Sequence, residues 1–313
     1  MSFDIVVVGS LSLDMVMDVP RRPATGETIK GTSFNTFVGG KGNNQALAAA
    51  KLGAKVAMVG RVGNDQYADV LEDNQKKYGI DTSHLLRDET EGTGLANIYV
   101  DPQGDNSIVI VPRSNDKLSP ADVDNASDVI SQSAMMVLQL EVPMETVIHA
   151  AKAAHAAKKV VLLNPAPAPA DGKLPKELLE NVDLLVPNES EASLLTGIDV
   201  KDEESAYKAA RQLIAKGVST VLVTLGDKGA AGLDSTGKEL FVPAYKVKAI
   251  DTTAAGDAFV GALACKLANG RGSLEAIKYA CAAGALATTK MGAAPSLPSK
   301  EEIEEFLSAC TTG

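Results

Sequence analysis

A chain of 313 residues with 45% apolar content can bury a large core, as one big domain or two smaller ones, although aromatics make up only 4% and tryptophan is absent. With 40 acidic against 30 basic residues the formal charge is -10, which argues against a binder of nucleic-acid backbones, so any anionic ligand must be held by local devices. No apolar run approaches the ~18 residues of a membrane span, and Met1-Ser2-Phe3-Asp4 lacks a basic signal-peptide head, so a cytoplasmic protein without membrane contact is expected.

Asp4 to Val8 is a short β-branched run that suits a buried parallel strand. Leu11, Leu13, Met15 and Met17 then alternate with polar or smaller residues as a one-sided strand does, so two kinds of sheet are implied. Pro20, Pro23 and Gly26 break the pattern, and Thr28 to Phe37 resumes an extended character. Gly39-Gly40-Lys41-Gly42-Asn43-Asn44-Gln45 reads as a glycine-rich loop opening a helix from Ala46 to Leu52. It has neither the P-loop nor the dinucleotide spacing, but two adjacent glycines beside Lys41 and Asn44 allow close approach by a polyol. Val56 to Val59 as strand and Tyr67 to Tyr78 as helix continue an α/β alternation. Leu95 to Val100 and Asn106 to Val111 flank Asp101-Pro102-Gln103-Gly104-Asp105, a hairpin signal that interrupts it. That hairpin can pair with strands near Met15 and Lys30 into a small second sheet, serving as a lid over a site or as a dimer-forming face.

From Met135 the rhythm is regular, with strands Met135 to Leu140 and Val160 to Leu163 around a helix from Met144 to Ala157. Such strands form a doubly wound sheet in which ligands collect at strand C-terminal ends, where Glu141 and Asn164 fall. Leu184 to Val186 leads to Pro187-Asn188-Glu189-Ser190-Glu191, a polar helix start with Asn188 as N-cap, whose acids suit the helix dipole. Thr220 to Thr224 precedes a turn at Leu225-Gly226-Asp227-Lys228-Gly229, and Phe241 to Ile250 alternates as a strand. Leu274 to Lys290 and Ile303 to Ala309 close the chain as helices. Cys265, Cys281 and Cys310 form no metal or disulfide pattern, and His84, His149 and His155 have no metal spacing.

The joint between Ile250 and the helical run Phe259 to Leu267 is built from small residues, Ala254, Ala255 and Gly256. They leave the N–H groups at a helix start open to an anion, and Asp257 lies in the first turn of the same helix. A carboxylate there either complements the helix dipole or accepts a proton beside a transferring phosphoryl group, and the stretch alone leaves both readings open.

In their order and spacing, Gly39 to Gln45, Asn188 to Glu191 and Asp251-Thr252-Thr253-Ala254-Ala255-Gly256-Asp257 resemble the ribokinase group of phosphofructokinase-B type carbohydrate kinases, from Val8-Gly9-Ser10 to Gly292-Ala293-Ala294-Pro295-Ser296. The resemblance implies an α/β fold with a doubly wound, mostly parallel sheet flanked by helices, as a single domain over 1–313 with a small β-sheet lid from insertions at about 12–37 and 93–113. It implies an ATP-dependent sugar kinase acting on O5 of ribose, with Asp257 as base and Ala254, Ala255 and Gly256 with Asp257 as anion hole. Ser12, Asp14, Gly40, Lys41, Asn44, Glu141 and Asp257 would hold the sugar. Asn188, Glu191, Thr224 and Gly226 would place ATP and Mg²⁺, the ion being met through water. A monovalent cation, K⁺, would sit at Asp251, Thr253, Ala287, Lys290, Gly292 and Ser296, and the lid implies a homodimer. One departure stands out: the group usually has asparagine at Ser12, and a hydroxyl in place of a carboxamide removes a direct sugar contact or passes it to water. The alternatives are a nucleoside or other sugar kinase of the same family and a non-catalytic sugar or nucleotide sensor; the intact Asp257 and small-residue joint argue against the sensor.

Overall fold

A computed structural model describes residues 2–103, 105–270 and 272–311. The chain begins β1 (Phe3–Val8), β2 (Ser12–Asp18), β3 (Ser33–Gly39), α1 (Lys41–Lys51), β4 (Val56–Gly63), α2 (Gln66–Lys77), β5 (Asp81–Asp88), β6 (Gly94–Val100) and β7 (Asn106–Val111). The middle holds α3 (Pro120–Asn125), α4 (Ser127–Gln132), β8 (Ser133–Leu138), α5 (Met144–Ala156), β9 (Val160–Leu163), α6 (Lys176–Leu179), β10 (Leu184–Leu185) and α7 (Glu189–Thr196). It ends with α8 (Glu203–Ile214), β11 (Thr220–Thr224), β12 (Gly229–Leu233), β13 (Glu239–Pro243), α9 (Ala255–Ala268), α10 (Ser273–Ala287) and α11 (Lys300–Thr311).

Nine strands form one sheet in the order β13-β12-β11-β10-β9-β8-β1-β4-β5, parallel from β11 to β5 and antiparallel at β12 and β13. The parallel strands are unbroken apolar runs because both faces are covered. Ile5 and Val7 pack toward α1, α9 and α10, whereas Val6 and Val8 pack toward α5 and α8. Register then decides where chemistry collects. Val8 lies opposite Leu138 and Val59, Leu138 opposite Leu163, and Leu163 opposite Leu185. The segments leaving these strands, Gly9–Leu11, Gln139–Glu141, Asn164 and Val186–Asn188, therefore emerge along one edge of the sheet.

The second sheet has four strands in the order β3-β2-β6-β7, with β2 and β6 parallel and the outer pairs antiparallel. The Asn115 carboxamide ties its two roots together, accepting from the Leu11 N–H at 3.0 Å and donating to the Leu11 carbonyl at 2.8 Å. Of the predicted hairpin turn, Gly104 lies outside the described residues.

Three expectations are corrected. The alternation from Phe241 to Ile250 is a strand only to Pro243, because β12 offers five residues of partner and Gly229 is paired with Pro243 at its end; alternation without a neighbouring strand does not hold a β conformation. Thr28 to Phe37 becomes a strand only from Ser33, where pairing with Asp18 begins, so Lys30 is outside the sheet. Helix α1 starts at Lys41, not Ala46: Gly40, at φ +89°, makes the turn alone, and Asn43 to Gln45 already lie in the helix.

Candidate active site

The helix α1 carries Lys41, Asn44 and Gln45 on its first turns, and α9 carries Asp257 on its first turn. The two helices touch at Gly261, where an added Cβ would stand 2.5 Å from Ala48 Cβ and 2.7 Å from the Gln45 carbonyl oxygen. This close approach, possible only without a side chain, presents the amides of α1 to the carboxylate one turn earlier on α9. Asn44 donates to Asp257 Oδ2 at 3.0 Å and Gln45 to Asp257 Oδ1 at 3.0 Å.

A cavity of about 480 Å³ opens between this junction and the small sheet. All seven residues expected at a sugar line it: Ser12, Asp14, Gly40, Lys41, Asn44, Glu141 and Asp257. Glu141 is fixed by the Ser10 hydroxyl at 2.6 Å and the Lys41 N–H at 3.0 Å, and Ser12 donates to Asp14 Oδ1 at 3.1 Å. Gly39 leaves room for Asp14, since a Cβ there would lie 2.3 Å from its carboxylate oxygens. Sequence reasoning gave no role to Ser10, nor to Ile98, Ile108 and Ile110 of the small sheet, which form the apolar roof. Ser10 was visible only as a neighbour of a glycine, and the isoleucines only as strand alternation.

A second cleft, of about 200 Å³, is lined by Asn188, Glu191, Thr224, Ala254 and Gly256. Lys41, Ala254 and Asp257 line both spaces, so Asp257 stands on the seam. Ala254 caps α9 with left-handed backbone, φ 59° and ψ 10°, an unfavourable state for a residue with a Cβ. Ala255 N–H is taken by the Thr252 carbonyl, while those of Gly256 and Asp257 have no acceptor within the helix. A Cβ on Gly256 would meet no atom of another element within 4 Å, so the cleft wall at this helix start is open.

Charge is concentrated here. Burial raises the proton affinity of Asp257; Lys41 and the Asn44 and Gln45 amides oppose it, Glu141 adds to it, and the net effect is upward. Burial likewise works against the Lys41 charge, but Asp257, Glu141 and Glu191 outweigh it and hold the ammonium above the usual lysine range. Asp14 is pushed up to about 7, first by burial and then by Glu141 and Asp257 against the Ser12 hydrogen bond. A folded carboxyl raised this way keeps its proton while the unfolded one loses it, so stability falls as pH climbs from the ordinary aspartate range to about 7. Asp14→Asn therefore stabilises the free protein by up to about 3 to 4 kcal/mol above neutrality, with the gain shrinking toward pH 4. Urea unfolding of both forms at pH 4.5 and 8 measures it; equal differences at the two pH values would contradict the assignment.

Asn188 and Glu191 form a reciprocal cap on α7, Glu191 accepting from Asn188 N–H at 2.9 Å and Asn188 Oδ1 accepting from Glu191 N–H at 2.8 Å. Burial raises the Glu191 carboxyl. Thr224 is paired to Asn188 across the end of β11, whereas Gly226, at φ +53°, lies in the next turn and not on the cleft wall. No group of three His, Cys, Asp or Glu fit to cage a metal occurs among the described residues. One carboxylate beside an open anion space fits Mg²⁺, which keeps most of its waters and shares phosphate oxygens.

Of the six residues expected at a cation, Asp251 holds Thr253 and Gly292 directly, and its N–H donates to the Thr288 carbonyl at 3.1 Å, which sets the stretch from Ala287 to Lys290 beside it. The Asp251 carboxylate accepts from Thr253 N–H at 2.9 Å, Thr253 Oγ1 at 2.6 Å and Gly292 N–H at 2.8 Å, which together outweigh burial and hold it below the usual range. The other three make local contacts: the Ala287 carbonyl accepts from Lys290 N–H at 3.3 Å, the Lys290 ammonium pairs with Glu302, and Ser296 donates to the Ala293 carbonyl at 2.7 Å.

Comparison with known proteins matches this architecture. The chain is 42% identical over 303 residues to ribokinase of Haemophilus influenzae, covering 97% of this chain and 98% of that protein. It is 39% identical over 305 residues to deoxyribokinase of Salmonella typhi, covering 97% and 99%. Among solved structures, the ribokinase of Arabidopsis thaliana complexed with ribose and ATP superposes at a TM-score of 0.90, with 32% identity over 98% of this chain and 99% of that one. The model of the pfkB family carbohydrate kinases matches residues 2–300, and with the seam at Asp257 and full-length relatives at this identity, the chain belongs to that family.

Proposed function

We propose that the protein is an ATP-dependent kinase that transfers the γ-phosphoryl group to O5 of ribose. The observation that carries this is the position of Asp257, on the wall shared by a polar-floored, apolar-roofed cavity and a cleft that ends on a helix N-terminus. In the larger cavity Asp14, Asn44 and Glu141 offer acceptors and donors to the hydroxyls of a small polyol, directing one hydroxyl at Asp257. Asp257 takes the proton of that hydroxyl as it attacks, a role for which a carboxylate of raised proton affinity is better matched than an ordinary one. The N–H groups of Gly256 and Asp257 and the Lys41 ammonium meet the charge that spreads over the moving phosphoryl group. Glu191 and Asn188 would hold Mg²⁺, which would supply charge neutralisation on the nucleotide phosphates. Gly226 would flank the nucleotide from the turn after β11. K⁺ at the Asp251 loop would steady the residues leading into α9, with Asp251 and Thr253 as its first oxygens.

The small sheet would close over the sugar as a lid. Its exposed Phe34, Val109 and Val111, on the face away from the cavity, suit burial against a second copy, giving a homodimer. Among the described residues no helix is long and apolar enough to cross a membrane, and a cytoplasmic location accords with the reading.

Ser12 favours a second reading, in which another pentose or a nucleoside is preferred: its short hydroxyl is occupied with Asp14 and leaves space in the cavity. ADP release with ATP and Mg²⁺ across ribose, 2-deoxyribose, fructose, adenosine and inosine separates the two. Ribose giving the highest kcat/KM supports the first; a higher value for 2-deoxyribose, fructose or a nucleoside moves the substrate and keeps the mechanism, and no turnover on any of the five overturns both.

A further inference from the structure

Behind Asp257 lies a pair of buried amides that touches neither open space. Gln45 and Gln139 are 1% and 0% exposed, and neither lines the cavity or the cleft. Gln45 uses its whole carboxamide: the NH₂ donates to Asp257 Oδ1 at 3.0 Å and to Asn164 Oδ1 at 3.1 Å, and the carbonyl accepts from Gln139 Nε2 at 2.7 Å. Asn164 is held in turn by donating to the Val186 carbonyl at 2.8 Å. Turning the Gln45 amide over would set its oxygen against two acceptors and its NH₂ against the NH₂ of Gln139, so all three bonds would be lost together.

Gln139 itself is costly. Its Oε1 is buried without a hydrogen-bond partner among the described residues. Space for that oxygen exists only because residue 9 is glycine, whose Cβ would stand 2.0 Å from it. An apolar residue of the same length would remove that unpaired oxygen but would leave the Gln45 carbonyl without its donor. What glutamine adds is one N–H bond to Gln45.

We propose that Gln139 is a positioning residue that acts through Gln45, locking the direction of its carboxamide and thereby holding the Asp257 carboxylate in one orientation for proton transfer. This rests on Asp257 being the proton acceptor of the kinase. Asn44 holds the other carboxylate oxygen from inside the sugar cavity, whereas the Gln45–Gln139 pair works from the core side, out of reach of either substrate.

The test is a double-mutant cycle on the full chain with ribose and ATP, separating kcat from both KM values. Gln139→Met, which keeps length and removes the donor, should lower kcat roughly fivefold to tenfold with both KM values within about twofold. Gln45→Met should lower kcat about 30-fold or more, and the double variant should match Gln45→Met alone, since Gln139 has no other route to the site. A Gln139→Met protein with wild-type kcat, a loss expressed in KM, or fully additive effects would overturn the proposal. Should Gln45→Met not fold, the kcat and KM split of Gln139→Met decides alone. Absence of turnover by the unmodified protein would instead overturn the reading of Asp257 beneath it, and the proposal with it.

Discussion

Asp257→Asn should lower kcat by two to four orders of magnitude while ATP affinity changes no more than a few-fold. The substitution preserves volume and the ability to accept from Gln45 through its carbonyl, so α1 and α9 stay packed at Gly261. What it removes is the proton acceptor, and a positioned general base contributes about 10² to 10⁴ in rate. It also replaces a charge that burial disfavours, so the variant should unfold no earlier than the parent. Isothermal titration with ATP and single-turnover kinetics with ribose measure the two sides; wild-type turnover would remove Asp257 from the mechanism.

Lys41→Met comes second. Lys41 is the charged residue of α1 that lines both spaces, and it is the largest force opposing the burial of Asp257. Its loss takes a positive charge from the phosphoryl path and also lets the Asp257 carboxyl rise further. The signs combine in a measurable way. At pH 7 kcat should fall about 100-fold, and the loss should shrink as pH rises, because removing Lys41 moves the ionisation of Asp257 upward. In the unmodified enzyme the same limb of the pH profile lies lower. A loss of constant size from pH 6 to 9 would mean that Lys41 acts on the phosphoryl group alone.

Much of the scaffold was legible because its causes are local. Asp4 to Val8 and Val160 to Leu163 are apolar without alternation, which only a strand covered on both faces requires, and they are indeed central parallel strands. Asn188 read as an N-cap because asparagine followed by glutamate three residues on satisfies the helix start in both directions. Where structure depends on a partner, the sequence was mute or misleading. Phe241 to Ile250 alternates throughout, yet only its first part meets β12, and β12 itself, Gly229-Ala230-Ala231-Gly232-Leu233, has too little β-branched character to announce a strand. Helix α8, by contrast, buries Ala206, Ala209, Ala210 and Leu213 at helical spacing, a pattern that is local and legible in its sequence.

The site divides the same way. Residues that carry side-chain chemistry in glycine-rich company, Lys41, Asn44 and Asp257, were recognisable as candidates. The raised carboxyl of Asp14 was not, because it arises first from burial and then from Glu141 and Asp257, and all three act on it only after folding. Gln45 stood at the end of a glycine-rich motif and Gln139 inside an expected strand, both without a role, since an amide reveals its function only through the direction of its bonds.

The most direct test of the central claim, that one carboxylate joins a sugar cavity to a phosphoryl cleft, is the ³¹P NMR spectrum of a reaction of the protein with ribose, ATP and Mg²⁺. The account predicts ADP and an equal amount of a phosphomonoester whose resonance is split by the two protons of a CH₂ group, as attachment at O5 requires, and no such signal with Asp257→Asn. ATP conversion to inorganic phosphate alone, or a phosphoester on a ring hydroxyl, would contradict it.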